Sequence, residues 1–70
     1  MINGLDVYKQ CGERCARARA RGDEATATFE KGYYWRMRNV ERTPADQEAA
    51  RKAFDDAYRE TSTKMRGIKA

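Results

Sequence analysis

Two cysteines, Cys11 and Cys15, stand four residues apart and would share one face of a helix. Three kinds of chemistry fit that spacing. Two copies of the chain could pool four thiolates around a zinc ion, the pair could work in redox exchange, or both could be small apolar residues of a packed seam. Two ligands alone do not make a structural zinc site, and disulfides are rare in the reducing cytoplasm where this chain is expected. Packing is therefore the expectation, with no metal and no cofactor. The chain has no histidine, so the commonest general base and metal ligand is missing. It also lacks a glycine-rich phosphate loop and a serine beside a base. Asp55 and Asp56 are adjacent carboxylates, but consecutive helical residues point about 100° apart, so they do not form an acid/base pair. No reaction site can be assembled, and the chain is expected not to be an enzyme.

Binding chemistry is better supplied. Arg14, Arg17, Arg19 and Arg21 form the densest basic run; Arg14, Arg17 and Arg21 share a helical face, whereas Arg19 points elsewhere. Nucleic acid is the partner such a run suggests. Against it, Glu13 partly neutralises the face, no aromatics are interleaved as in single-strand binders, and no short recognition-helix unit is present. A small basic DNA-binding regulator is therefore the alternative reading. The richest patch is Phe29, Tyr33, Tyr34, Trp35 and Met37. Three consecutive aromatics sweep about 200° of a helix, so Tyr34 and Trp35 cannot both face inward. Trp, Tyr and Arg most often anchor protein interfaces, which makes Tyr34, Trp35, Arg36 and Arg38 the expected partner-binding surface. Packing of Trp35 against a second helix or a second subunit is the competing reading.

The elements that position these residues read as helices. Arg, Ala and Glu dominate the 70-residue chain, and only one proline interrupts it. Thr43-Pro44-Ala45-Asp46 is a helix start: a hydroxyl N-cap, a proline at the first helical position and a carboxylate in the first turn. Beyond it, Ala50, Ala53, Phe54, Ala57, Tyr58, Thr61 and Met65 fall on one face. Glu48–Lys52, Asp55–Arg59 and Glu60–Lys64 are expected four-apart ion pairs, and Gly67 is the expected cap. Upstream, Tyr8, Cys11, Cys15, Ala18, Gly22, Ala25, Phe29, Gly32/Tyr33, Met37 and Val40 alternate steps of three and four, a heptad-like seam, with Asn3 or Asp6 as its cap.

The fold class expected is all-α: an antiparallel helical hairpin in a single domain, with a first helix over 5–41, a turn at 42–43 and a second helix over 44–66. Arg21-Gly22-Asp23 could instead end one helix and start another, giving a three-helix bundle able to live as a monomer; the seam passing through Gly22 in phase favours the continuous helix. In the hairpin the first helix outruns the second by more than 20 Å at about 1.5 Å per residue. The stripe of Val7, Tyr8, Cys11 and Cys15 is then bare, and a second copy of the chain is its expected cover, giving a four-helix dimer. The net charge of +4 comes from 15 bases among 11 acids, a modest excess. Charged residues follow Met1 to Leu5 directly, which reads as no signal peptide, and no apolar run approaches a membrane span, so a cytoplasmic protein with no membrane partner is expected.

The layout as a whole resembles the small early proteins of Mu-like Pseudomonas phages, most of all the quorum-sensing anti-activators among them. It does so through the Ala/Arg-rich first helix, the Thr43-Pro44-Ala45-Asp46 turn, and the shorter helix through Phe54 and Tyr58. That resemblance implies a dimeric helical hairpin that inhibits host proteins by direct binding: a LuxR-type transcriptional regulator and the motor ATPase of type IV pili. It aligns no individual binding residue.

Overall fold

A computed structural model describes residues 5–68 as three α-helices: α1 Leu5–Ala20, α2 Glu24–Val40 and α3 Pro44–Ile68. Among these residues there is no strand, and no helix is long and apolar enough to cross a membrane. Asn3, an expected cap, and the Met1–Ile2 start lie outside the described residues.

The all-α expectation holds, but the continuous first helix does not. Gly22 takes φ +79° and closes α1 with paired turn bonds: the Gly22 amide donates to the Arg19 carbonyl at 3.0 Å and the Asp23 amide to the Ala18 carbonyl at 2.8 Å. This is the glycine-dependent Schellman ending of a helix. Asp23 then caps α2, its Oδ1 accepting from the Thr26 amide at 3.1 Å and its Oδ2 from the Thr26 hydroxyl at 2.7 Å. Those two bonds hold the Asp23 carboxyl below the usual carboxylate range. The chain thus ends one helix and starts the next within three residues, using local bonds that a seam count does not see.

This difference has a measurable sign. Inside a continuous helix, Gly22→Ala would stabilise by up to about 1 kcal/mol. At a left-handed position a Cβ is penalised, so the same change is expected to destabilise by about 1 kcal/mol, read as a lowered urea midpoint with an unchanged slope.

The second connection was legible. Thr43 Oγ1 accepts from the Asp46 amide at 3.1 Å, and α3 starts at Pro44. Of its expected inner face, Ala50, Ala53, Phe54 and Thr61 are buried and Ala57, Tyr58 and Met65 half-buried. Gly67 does not end α3, which runs through it to Ile68. The surface ion pairs also differ from those expected. Arg51 takes both Glu48 and Asp55, and Lys52 reaches Asp56, because the arginine fork spans one turn in each direction. Such exposed pairs add little to stability.

With two reversals of direction, α3 runs parallel to α1 rather than antiparallel to it. Gly12 lies against Phe54, Ala57 and Tyr58, and Ala16, Arg19 and Ala20 line a shared hollow with Ser62, Met65 and Arg66. Helix α2 descends along α1, bringing Ala27 to Cys15 and Tyr34 to Tyr8. Helix α1 is therefore the central element. Tyr8, Cys11, Cys15 and Ala18 are each at most 2% exposed, and Leu5 and Val7 pack against the same cluster. The stripe of Val7, Tyr8, Cys11 and Cys15, expected to be bare and to form a dimer interface, is covered from within the chain. The third helix supplies the cover that a second copy would have had to provide.

Candidate partner-binding groove

Tyr34 of α2 stacks on Phe54 of α3, with ring centroids 4.1 Å apart and planes at 19°. Tyr8 meets Tyr34 edge-on at 6.1 Å, and Tyr58 continues the row beyond Phe54 at 6.3 Å. The Tyr8 hydroxyl donates to Glu41 Oε2 at 2.7 Å, tying the start of α1 to the turn between α2 and α3. Burial, reinforced by that carboxylate, pushes the Tyr8 hydroxyl far above the ordinary tyrosine range.

Over this aromatic row α2 and α3 diverge and leave a groove of about 450 Å³. Tyr34, Phe54 and Cys15 contribute to its floor, and Trp35 and Tyr58 are the more exposed aromatics along it. The rest of the lining is Lys31, Trp35 and Arg38 of α2, at helical steps of four and three, Arg51 and Asp55 of α3, and Arg19 of α1. The Arg38 guanidinium carbon sits 4.7 Å from the centre of the Trp35 ring, a cation–π distance, while Arg38 Nε is buried without a hydrogen-bond partner. Four cations thus line the groove against one carboxylate. Asp55 is already engaged by Arg51 at 2.7 Å, whereas Arg19, Lys31 and Arg38 make no ion pair among the described residues. The groove can accept an apolar or aromatic side chain on its floor and carboxylates along its rim.

The expected surface of Tyr34, Trp35, Arg36 and Arg38 is divided by the structure. Trp35, 49% exposed, and Arg38 stand at the groove. Tyr34 is buried beneath it, where desolvation raises its hydroxyl pKa. Arg36 lies on the opposite flank of α2, outside the groove. Arg19, Lys31 and Tyr58 were missed as members. Lys31–Trp35–Arg38 was readable as one helical stripe; the other two come from separate helices and have no local signal.

The rest of the aromatic patch turns outward. Phe29 and Tyr33, expected in the core, are 67% and 44% exposed, and Val40 is 75% exposed. The buried face of α2 is instead Ala27, Glu30 and Tyr34, with Met37 half-buried. Reversal of the chain at Gly22 resets the phase, so the upstream seam does not extrapolate. Cys11 and Cys15 are buried in the core. Burial raises both thiols, Cys11 to about 11, and Cys15 Sγ donates to the Ala27 carbonyl at 3.5 Å. Both are therefore neutral at pH 7 and pack as small side chains. Among the described residues no cluster of three or more metal-ligating side chains occurs. Arg14, Arg17 and Arg21 are exposed, and Arg21 approaches Asp23 at 3.6 Å. Comparison of the chain with protein-family models, with curated protein sequences and with solved structures gives no match.

Proposed function

We propose that this chain is a non-enzymatic binding module that takes an acidic, apolar-tipped segment of a partner protein into the groove between α2 and α3. The observation that carries this reading is Arg38 stacked on the half-exposed Trp35 at the mouth of an aromatic-floored groove, where Arg19 and Lys31 also make no ion pair among the described residues. Trp and Arg at the centre of a desolvated patch are the side chains that carry most interface energy. A narrower form makes the chain a phage-encoded inhibitor acting in the host cytoplasm on a LuxR-type regulator, and on the pilus motor ATPase. That form rests on the resemblance in layout, of which the Thr43-Pro44 turn and the helix after it remain once the first helix is broken at Gly22.

The test begins with partner capture from bacterial lysate and continues with affinities for the captured protein. Trp35→Ala and Arg38→Ala are expected to weaken binding by more than about 1 kcal/mol each, roughly fivefold or more, with far-UV circular dichroism unchanged. Arg17→Ala with Arg21→Ala is expected to matter less. The opposite pattern, a silent Trp35→Ala alongside duplex-DNA binding that falls steeply with salt, would replace this reading with the DNA-binding one.

A further inference from the structure

The outer face of α2 is a separate surface. Ala25, Phe29, Gly32, Tyr33, Arg36 and Val40 are all exposed and fall within a sector of about 100° at helical spacing. Phe29, Tyr33 and Val40 are three of the four large hydrophobics most exposed among the described residues. Gly32 stands mid-helix with nothing within 4 Å of where a Cβ would be, so packing within the chain does not call for a glycine there.

We infer that this face is a homodimer interface in which two copies of α2 pack antiparallel about a two-fold axis between Gly32 and Tyr33. The stripe is its own complement under that operation. Tyr33 falls over the partner's Gly32, Phe29 against the partner's Arg36, and Val40 against the partner's Ala25, so each large side chain meets a small residue or a cation. Phe29 with the arginine is a cation–π pairing, and antiparallel helices set opposite dipole ends together. Arg36 is the only charge in the stripe. The two Arg36 positions are about 10 Å apart along the axis, seven residues of rise, where salt screens their repulsion. A stripe of three large apolar side chains and one charge suits a second copy better than a strongly charged partner. Closed two-fold pairing also adds core to a chain of a size that commonly needs it. Side-by-side helices related this way present matching flanks on one face of the pair. Both Trp35–Arg38 grooves then open on the same side, a consequence that rests on the groove reading above.

Light scattering on the full chain at micromolar concentration is expected to give twice the 8.1 kDa chain mass. Phe29→Arg, which sets a second cation against the partner's Arg36, and Tyr33→Glu, both at exposed sites, are each expected to return the single-chain mass with helicity retained. Gly32→Leu is expected to do the same, although it removes a helix-weakening glycine. The double variant Ala25→Cys with Val40→Cys is expected to form an intermolecular disulfide on oxidation, whereas Ala25→Cys alone does not. A single-chain mass for the unaltered protein at every concentration overturns the proposal, and so does a dimer that survives Phe29→Arg and Tyr33→Glu. Cross-linking of Ala25→Cys to itself overturns the antiparallel pairing. Trp35→Ala leaves the mass unchanged, so failure of the groove reading is seen separately.

Discussion

Phe54→Ala is expected to cost about 3–5 kcal/mol of folding free energy, the range for truncating a buried phenylalanine and leaving its cavity partly unfilled. Phe54 is 6% exposed, stacks on Tyr34 at 4.1 Å and precedes Tyr58 in the same aromatic row. Through that stack it joins α3 to α2. Alanine there removes both a ring and that link between α2 and α3. A domain of this length has about 4–10 kcal/mol in total, at the usual stability per residue, so the variant would sit at the edge of unfolding. Urea melts followed by circular dichroism check this. Phe54→Leu, which keeps most of the volume, should lose less than half as much. A loss below about 1 kcal/mol for Phe54→Ala would mean that α2 and α3 are held together elsewhere.

Gly12→Ala is expected to destabilise by about 2 kcal/mol, against the sign that helix propensity predicts. Within an ordinary exposed helix the change would gain up to about 1 kcal/mol. Here a Cβ on Gly12 would meet the Phe54 carbonyl oxygen at 2.5 Å, and the Ala57 Cβ and Tyr58 amide nitrogen at 3.1 Å. Two of those atoms belong to the backbone of α3, so they cannot rotate away; α1 and α3 must separate, opening the contact along their length. Overpacking that shifts side chains and backbone typically costs about 1–3 kcal/mol. Thermal melts of Gly12→Ala beside Gly22→Ala separate the two causes, one a closed interhelix gap and the other a left-handed turn. A Gly12→Ala protein as stable as its parent would show that α1 and α3 do not approach this closely.

What the sequence determined by itself lies where the signal is local. The α3 start needs only Thr43, Pro44 and Asp46, and its inner face from Ala50 to Met65 follows from helical spacing once the start is known. The same holds for Tyr8, Cys11, Cys15 and Ala18 on α1. Gly22-Asp23 also carried a legible signal, a C-terminal glycine followed by a capping aspartate, but the continuity of the seam outweighed it. That choice placed Phe29, Tyr33 and Val40 inside and left Val7 to Cys15 without cover.

Only the tertiary structure decided which face of α2 is buried. A chain that reverses at Gly22 meets α1 with whichever residues its new direction presents. Those are Ala27, Glu30 and Tyr34, and they include a glutamate, only 8% exposed, set beside the Cys11 thiol. Periodicity ranks a face by its apolar content; packing ranks it by fit, and the small Ala27 lets α2 lie against Cys15. The groove is decided in the same way. Arg19, Lys31 and Tyr58 belong to three different helices, and their convergence around Trp35 and Arg38 depends on how three helix axes diverge. Caps and turns are settled within a few residues by hydrogen bonds and allowed dihedrals, whereas the burial of a face is settled by contacts across the whole chain.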